Sequence, residues 1–374
     1  MTFLDTARAR LDDHLPGLDK QLADVSLIEL EQPGSGALSM FRAAGGPALL
    51  VPEAYGGAGI GLADAVHLQR AIGARSPSLA VATAMHHFSV ASLVELAVRH
   101  DGLEWAMLEA IAGNRWLLSS AFAEGRSGAH ILAPTMRGVP DGDGLRVNGS
   151  KRPCSLTWSM DLLSASVAVS DPDGGPDHLA VILVPASTEG IERRRFWQSP
   201  VLAAAESDEV VLHDVHVPDA LVFRPTEGPT MDPVHTRGFT CFELLIAASY
   251  VGIASGLAER VLVSGRGNAQ DRTLLAVELE SATAALAHVA TTVEGGGDLE
   301  HDLAQALYAR YAAERAVERA SMAAAALAGG MAFIGASDIS YLLAASRALA
   351  FHPPSLGAAS EPLAAHLAGA DLVL

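Results

Sequence analysis

Cysteine is nearly absent from this chain of 374 residues: only Cys154 and Cys241 occur. Two thiols cannot build a framework of bridges, and they fit a reducing compartment. The chain is therefore expected in the cytoplasm. Positive charge is also scarce. There are 25 Lys and Arg against 43 Asp and Glu, a net charge of −18. A surface so acidic repels the phosphates of nucleic acid and of anionic membranes, so neither is an expected partner. Aromatic residues make up only 5%. No H-E-x-x-H or C-x-x-C spacing is present, so no metal site is expected. There is no G-x-S-x-G elbow and no G-x-G-x-x-G after a strand, which excludes a Rossmann mode of dinucleotide binding. The N-terminus, Met1 to Asp5, has acids early and no apolar core behind basic residues, unlike a signal peptide. The longest apolar run, Leu244 to Ala258, reads as too short and too rich in Ser and Gly for a bilayer span.

What is present is apolar, patterned sequence: 50% of residues are hydrophobic and 18% charged, the balance of a globular chain that buries a core. The period changes twice. Residues 1–115 read as a helical domain, with helical spacing over Ala63–Ile72 and Ser89–Val98. A glycine-rich loop, Val51 to Gly59, punctuates it. Residues 116–228 carry a period nearer two. Leu162–Val169, His178–Val184 and Glu209–Pro218 are strand candidates, and Asn148-Gly149 predicts a hairpin turn. Residues 229–374 return to long Ala-rich helices over Phe239–Gly265, Arg272–Val293, Leu299–Leu327 and Ser337–Ala350, as in a four-helix bundle. The expected class is α+β: helical domain, small β-sandwich or barrel, helical bundle.

That order coincides with local signatures of one family. Val51-Pro52-Glu53-Ala54-Tyr55-Gly56-Gly57-Ala58-Gly59 resembles the P-E-x-Y-G-G-x-G loop of acyl-CoA dehydrogenases. Ala123-Glu124-Gly125-Arg126-Ser127-Gly128-Ala129 resembles their T-E-P-x-x-G-S segment in degraded form. Val147-Asn148-Gly149-Ser150-Lys151 matches their N-G-x-K stretch, Val210–Pro218 a later strand, and Ala328-Gly329-Gly330 a late G-G turn. The chain thus resembles the acyl-CoA dehydrogenase superfamily over nearly its whole length, with the motifs in the right order.

The resemblance implies FAD held between the β domain and the C-terminal helices, in a homodimer or homotetramer that shares the flavin's diphosphate end. It places Ser155 beside flavin N5, where a hydroxyl can donate or accept. It places the backbone of Phe122 and Ala123 along the pyrimidine, Ser127 and Gly128 in the same loop, and counts Arg266, Gly329 and Gly330 among the cofactor-binding residues. Ala123 lacks the family's hydroxyl, and only Arg266-Gly267-Asn268 and Asp271-Arg272 remain of the R-x-x-F-G motif.

Dehydrogenation of an acyl thioester needs a carboxylate to take the α-proton. Leu356 stands at the family's usual base position. Glu243 is the nearest carboxylate to the alternative position but falls one residue past it, about 100° around a helix. Thr240 and Glu243 also replace the Asp and Arg that hold the thioester. A site without a base resembles another branch of the fold, the monooxygenases that take reduced flavin from a partner reductase and stabilise a C4a-hydroperoxyflavin. Histidine suits that task, which points to His352 and to His86 or His87. The expected function is an FADH2- and O2-dependent monooxygenase acting on an apolar metabolite. The alternatives are an acyl-thioester dehydrogenase with Glu243 as displaced base, coupled to an electron-transfer flavoprotein, and a non-catalytic subunit of a heteromeric complex.

Overall fold

The structure is a computed structural model that describes residues 3–99, 102–124, 134–171, 175–225 and 231–374. Seven α-helices come first: α1 (Asp5–His14), α2 (Leu18–Ala23), α3 (Leu27–Leu30), α4 (Ala37–Ala43), α5 (Leu62–Arg75), α6 (Pro77–Arg99) and α7 (Glu104–Asn114). Strands follow: β1 (Leu118–Ala121), β2 (Arg137–Asp141), β3 (Gly144–Cys154), β4 (Leu162–Val169), β5 (His178–Pro185), β6 (Ile191–Arg194), β7 (Asp208–Pro218) and β8 (Val222–Phe223). The chain ends in α8 (Pro233–Ser264), α9 (Ala269–Glu294), α10 (Leu299–Gly335), α11 (Ser337–Ser346) and α12 (Leu356–Leu367).

Among the described residues the strands hydrogen-bond into one sheet of order β6-β7-β3-β2-β4-β5-β8, with β1 joined to β4. Its halves meet across two residue pairs, Arg137 with Ala168 and Gly138 with Val169. The expected turn at Asn148-Gly149 lies instead inside β3, as a bulge opposite β7. The hairpin turns earlier, where Asp141 pairs with Gly144. Gly149 has φ +142°, and a β-carbon there would sit 3.0 Å from the Met136 α-carbon, so only glycine fits.

Helix α8 is the axis of the molecule and packs against α5, α6, α9, α10 and α11. Its approach to α5 is set by glycine. A β-carbon on Gly252 would fall 2.3 Å from the Arg70 carbonyl oxygen, and one on Gly73 equally close to that of Ser249. Four helices, α6, α8, α9 and α10, are long and apolar enough to cross a membrane by length and composition, which corrects the reading of 244–258 as too short. The apolar window of α8 is wholly buried within the protein, so its hydrophobicity serves a core.

Candidate active site

A cavity of about 60 Å3 opens where α6, β4, β5, β8 and the start of α8 converge. Phe88, Leu93, Leu96, Phe122, Leu183 and Phe223 give it an apolar wall. Phe88 organises that wall, with Phe122, Phe239 and Phe242 edge-on to it at 5.3, 5.6 and 5.9 Å. Polar groups are few: Ser89, Ser92, Asp232 and His235 among them. The Ser89 hydroxyl is buried without a hydrogen-bond partner among the described residues.

The structure brings the expected flavin contacts Phe122, Ala123 and Ser155 onto neighbouring backbone. The Arg152 N–H donates to the Ala123 carbonyl at 2.9 Å. Just beyond β3, the Ser155 carbonyl accepts from the Ser119 hydroxyl at 2.6 Å, and the Ser155 hydroxyl pairs with that of Ser207 at 3.0 Å. Beneath them lies a pair that sequence reasoning did not connect. Lys151, wholly buried, donates to Glu124 at 2.7 Å and to the Ser166 hydroxyl at 3.0 Å. Ser127 and Gly128 lie outside the described residues. Arg266 and Gly329 meet at a different corner. Gly329 interrupts α10 with φ +78° and ψ 161°, and a β-carbon on it would stand 3.3 Å from Arg266 Nη1. Gly330 follows in the open, with nothing within 4 Å of such a β-carbon.

The histidines separate. His86 Nδ1 accepts from the Leu118 N–H at 3.0 Å, so Nε2 carries the proton and donates to the Pro47 carbonyl at 3.0 Å. Both nitrogens are spent on backbone, and His86 is a cross-link between the 46–48 turn, α6 and β1. Burial lowers it to about 4, which keeps it neutral. His87 is also buried, facing Phe41 edge-on at 6.1 Å, with Nδ1 unpartnered among the described residues. None of His86, His87 and His352 lines the cavity itself. His352 meets the aromatic cluster through Phe242, at 6.1 Å between rings, and its Nε2 lies 2.9 Å from the Tyr250 hydroxyl.

Glu243 is wholly buried, 3.1 Å from Arg310 Nε, and Arg310 is wholly buried too. Burial pushes the Glu243 carboxyl up to about 8, and Arg310 pulls it back. Arg310 also donates to the carbonyls of Leu349, His352 and Pro354 at 3.1, 2.7 and 3.1 Å. Glu243 thus lies against the arginine that holds the His352 loop and does not line the cavity. Leu356, at the usual base position, is 40% exposed. Tyr250 and Arg310 escape notice in the sequence because neither belongs to a motif, and Arg310 is one of several arginines and tyrosines on α10.

No family model matches the chain. The isobutylamine N-hydroxylase of Streptomyces viridifaciens is 44% identical over 377 residues, covering 100% of both chains. The protein belongs to the flavin-dependent monooxygenases of the acyl-CoA dehydrogenase superfamily. The dibenzothiophene monooxygenase of Rhodococcus erythropolis is 29% identical over 237 residues, covering 61% of this chain and 56% of its own. The fold is shared with TdsC from Paenibacillus sp. A11-2, solved with FMN and indole, at TM-score 0.82 and 18% identity, covering 97% of this chain and 96% of that one. The protein is thus a flavin-dependent oxidoreductase, and the monooxygenase reading of the sequence holds.

The residues present suit a flavin. The Phe122–Ala123 backbone and Ser155 offer polar groups beside an apolar wall. The break at Gly329 against Arg266 leaves a backbone cradle with a guanidinium at its edge, and Arg266 is exposed with no ion-pair partner among the described residues.

Proposed function

We propose that this monooxygenase is an N-hydroxylase of small primary alkylamines that uses reduced FAD and O2. The observation that carries the reading is the full-length identity of 44% to an enzyme named for isobutylamine N-hydroxylation. The cavity supports it by size and chemistry. A volume of about 60 Å3 holds on the order of four waters, the scale of a four-carbon amine. Its wall is apolar apart from three serines, His235 and the charged residues Asp232 and Arg224 at the start of α8 and the end of β8; N-hydroxylation requires the free base, whose nitrogen lone pair is the nucleophile, and the apolar part of the wall favours that form.

Reduced flavin, when bound, supplies the electrons that activate O2. One oxygen atom goes to nitrogen and the other leaves as water. The chain's part is to keep that chemistry dry and to offer neutral hydrogen-bond donors. Ser155 and the Phe122–Ala123 backbone would face the flavin ring, and His352 would face the reacting oxygen. Arg266 at the Gly329 break supports FAD over FMN, because a diphosphate needs a cation beyond the ring site. Three further readings belong with this one. Reduced flavin comes from a separate reductase. Exposed Met331, Ile334 and Phe351, at 77, 79 and 85%, are covered in a homo-oligomer. The buried free thiols Cys154 and Cys241 suit the cytoplasm.

The test supplies purified protein with isobutylamine, air, FAD and a reductase with NADH. The expected product is the N-hydroxylamine, identified by mass. Unconsumed amine, with all oxygen released as hydrogen peroxide while indole or dibenzothiophene is oxygenated, overturns the reading.

A further inference from the structure

The ring of His352 is held through one nitrogen. Its Nε2 lies 2.9 Å from the Tyr250 hydroxyl. Tyr250 is wholly buried in α8, and its oxygen has no other hydrogen-bond partner among the described residues. That decides the direction of the bond. If Nε2–H donated to the phenol oxygen, the phenol proton would be buried without an acceptor, at a cost of about 1–3 kcal/mol. The phenol therefore donates to Nε2. A neutral imidazole with Nε2 as acceptor carries its proton on Nδ1. Burial, with the Arg310 guanidinium nearby, lowers the ring to about 3 and keeps it neutral. Nδ1 has no hydrogen-bond partner among the described residues, so it is the ring's one donor left for a ligand.

The surroundings hold this arrangement in place. Arg310 donates to the carbonyls on both sides of the ring and to that of His352 itself. The Tyr311 hydroxyl donates to the Pro354 carbonyl at 2.9 Å. Phe242 packs edge-on against the ring and, on its other side, against Phe88 of the cavity wall.

We propose that Tyr250 is a positioning residue for the oxygenation step: its hydroxyl locks His352 in the Nδ1–H tautomer and so presents that N–H to the reacting groups. The inference rests on the reading of His352 as part of the oxygenation site. The test has two readouts. Full-length protein labelled with 15N-histidine is studied by side-chain NMR at pH 7, the His352 signals being assigned by their loss in His352→Gln. The wild type is expected to show a protonated Nδ1 and a bare Nε2, and Tyr250→Phe to shift the ring toward Nε2–H. A protonated Nε2 in the wild type overturns the proposal, as does an unchanged pattern in Y250F. The wild-type spectrum decides the tautomer even if Y250F fails to fold.

The second readout is coupling. With isobutylamine, Y250F is expected to divert oxygen to hydrogen peroxide at least about tenfold more than wild type, as loss of an orienting partner does, while KM for the amine is unchanged. In a His352→Gln background the same change is expected to add nothing. An unaltered peroxide fraction in folded Y250F overturns the positioning role. A tautomer that depends on Tyr250 in an enzyme that makes no hydroxylamine defeats the proposed function and spares the lock; hydroxylamine formation with the tautomer unmoved does the reverse.

Discussion

Replacing Lys151 by Met is the sharpest test of what supports the backbone proposed to face the flavin. Lys151 is wholly buried and donates to Glu124 at 2.7 Å. The Glu124 carboxylate also accepts from the Thr135 N–H at 2.8 Å, the Thr135 hydroxyl at 2.6 Å and the Met136 N–H at 3.1 Å. One carboxylate thus ties the backbone after Ala123 to β3 and to the approach to β2. Methionine matches the lysine stem in length, so the cavity term is small and the loss is electrostatic. Removing one partner of a buried pair costs about 3–5 kcal/mol, which in a chain of this size lowers Tm by about 4–6 °C. Thermal melts measure that loss, and flavin fluorescence titration measures the loosened ring site. Removing both charges in Glu124→Gln with Lys151→Met should recover at least about 1 kcal/mol relative to K151M alone. Acid titration gives an independent check. Burial alone would raise Glu124, but Lys151 and the donors of Thr135 and Met136 outweigh it and hold the carboxyl down at about 2. Its folded value lies below the ordinary 4.5, so its stabilisation is complete above that pH and disappears as pH falls toward 2. E124Q should flatten this acid limb. A K151M protein melting within about 1 °C of wild type would refute the argument.

Glu243→Gln should keep amine hydroxylation within about threefold, since the residue touches no reacting group; a displaced base would lose about a hundredfold or more. The wild type should also lose stability as pH rises from 4.5 toward about 8, because the unfolded chain releases that proton first, and E243Q should remove this slope in melts across that range. His86→Ala should cost roughly 2–4 kcal/mol by stranding the Leu118 N–H and the Pro47 carbonyl, read as a lower urea midpoint. Wild-type His86 adds its own acid sensitivity: its value falls from 6.5 unfolded to about 4 folded, so stability drops as pH descends through that window. Gly149→Ala should cost about 1–3 kcal/mol through its φ of +142°, seen as a lower Tm with the bound flavin spectrum retained.

The strands were legible because their burial is regular. Leu162–Val169 is β4 residue for residue, and the reading of 178–184 misses β5 by its final proline. The turn at Asn148-Gly149 was misplaced because a glycine with positive φ serves a bulge as well as a turn. The competing Asp-Gly-Asp-Gly at 141–144 lies only a few residues upstream and takes the hairpin. The direction in which the histidine pair points was not legible. Neighbours on a helix point about 100° apart, and His86 and His87 both turned away from the cavity into backbone and core. The sheet's continuity through two residue pairs of β2 and β4 has no local signal at all.

The buried charges of the site follow from one helix. Glu243 and Tyr250 are seven residues apart on α8, just under two turns, and so share a face. Phe242, beside Glu243, continues the aromatic wall. The start of the same helix reaches the cavity through Val234 and His235. α8 therefore carries the anchor for Arg310, the partner for the His352 ring and part of the cavity lining. The pair Glu243–Arg310 contributes little net stability by itself, because desolvation offsets its attraction. What it secures is geometry: a guanidinium with a fixed fork holds three carbonyls of one short loop. In a dehydrogenase that neighbourhood supplies a carboxylate to take a proton. Here the carboxylate is withdrawn into the core, and the loop it anchors presents a neutral imidazole. Under the proposed N-hydroxylation, this is the change that a step needing a donor, rather than an anionic base, requires of the same fold.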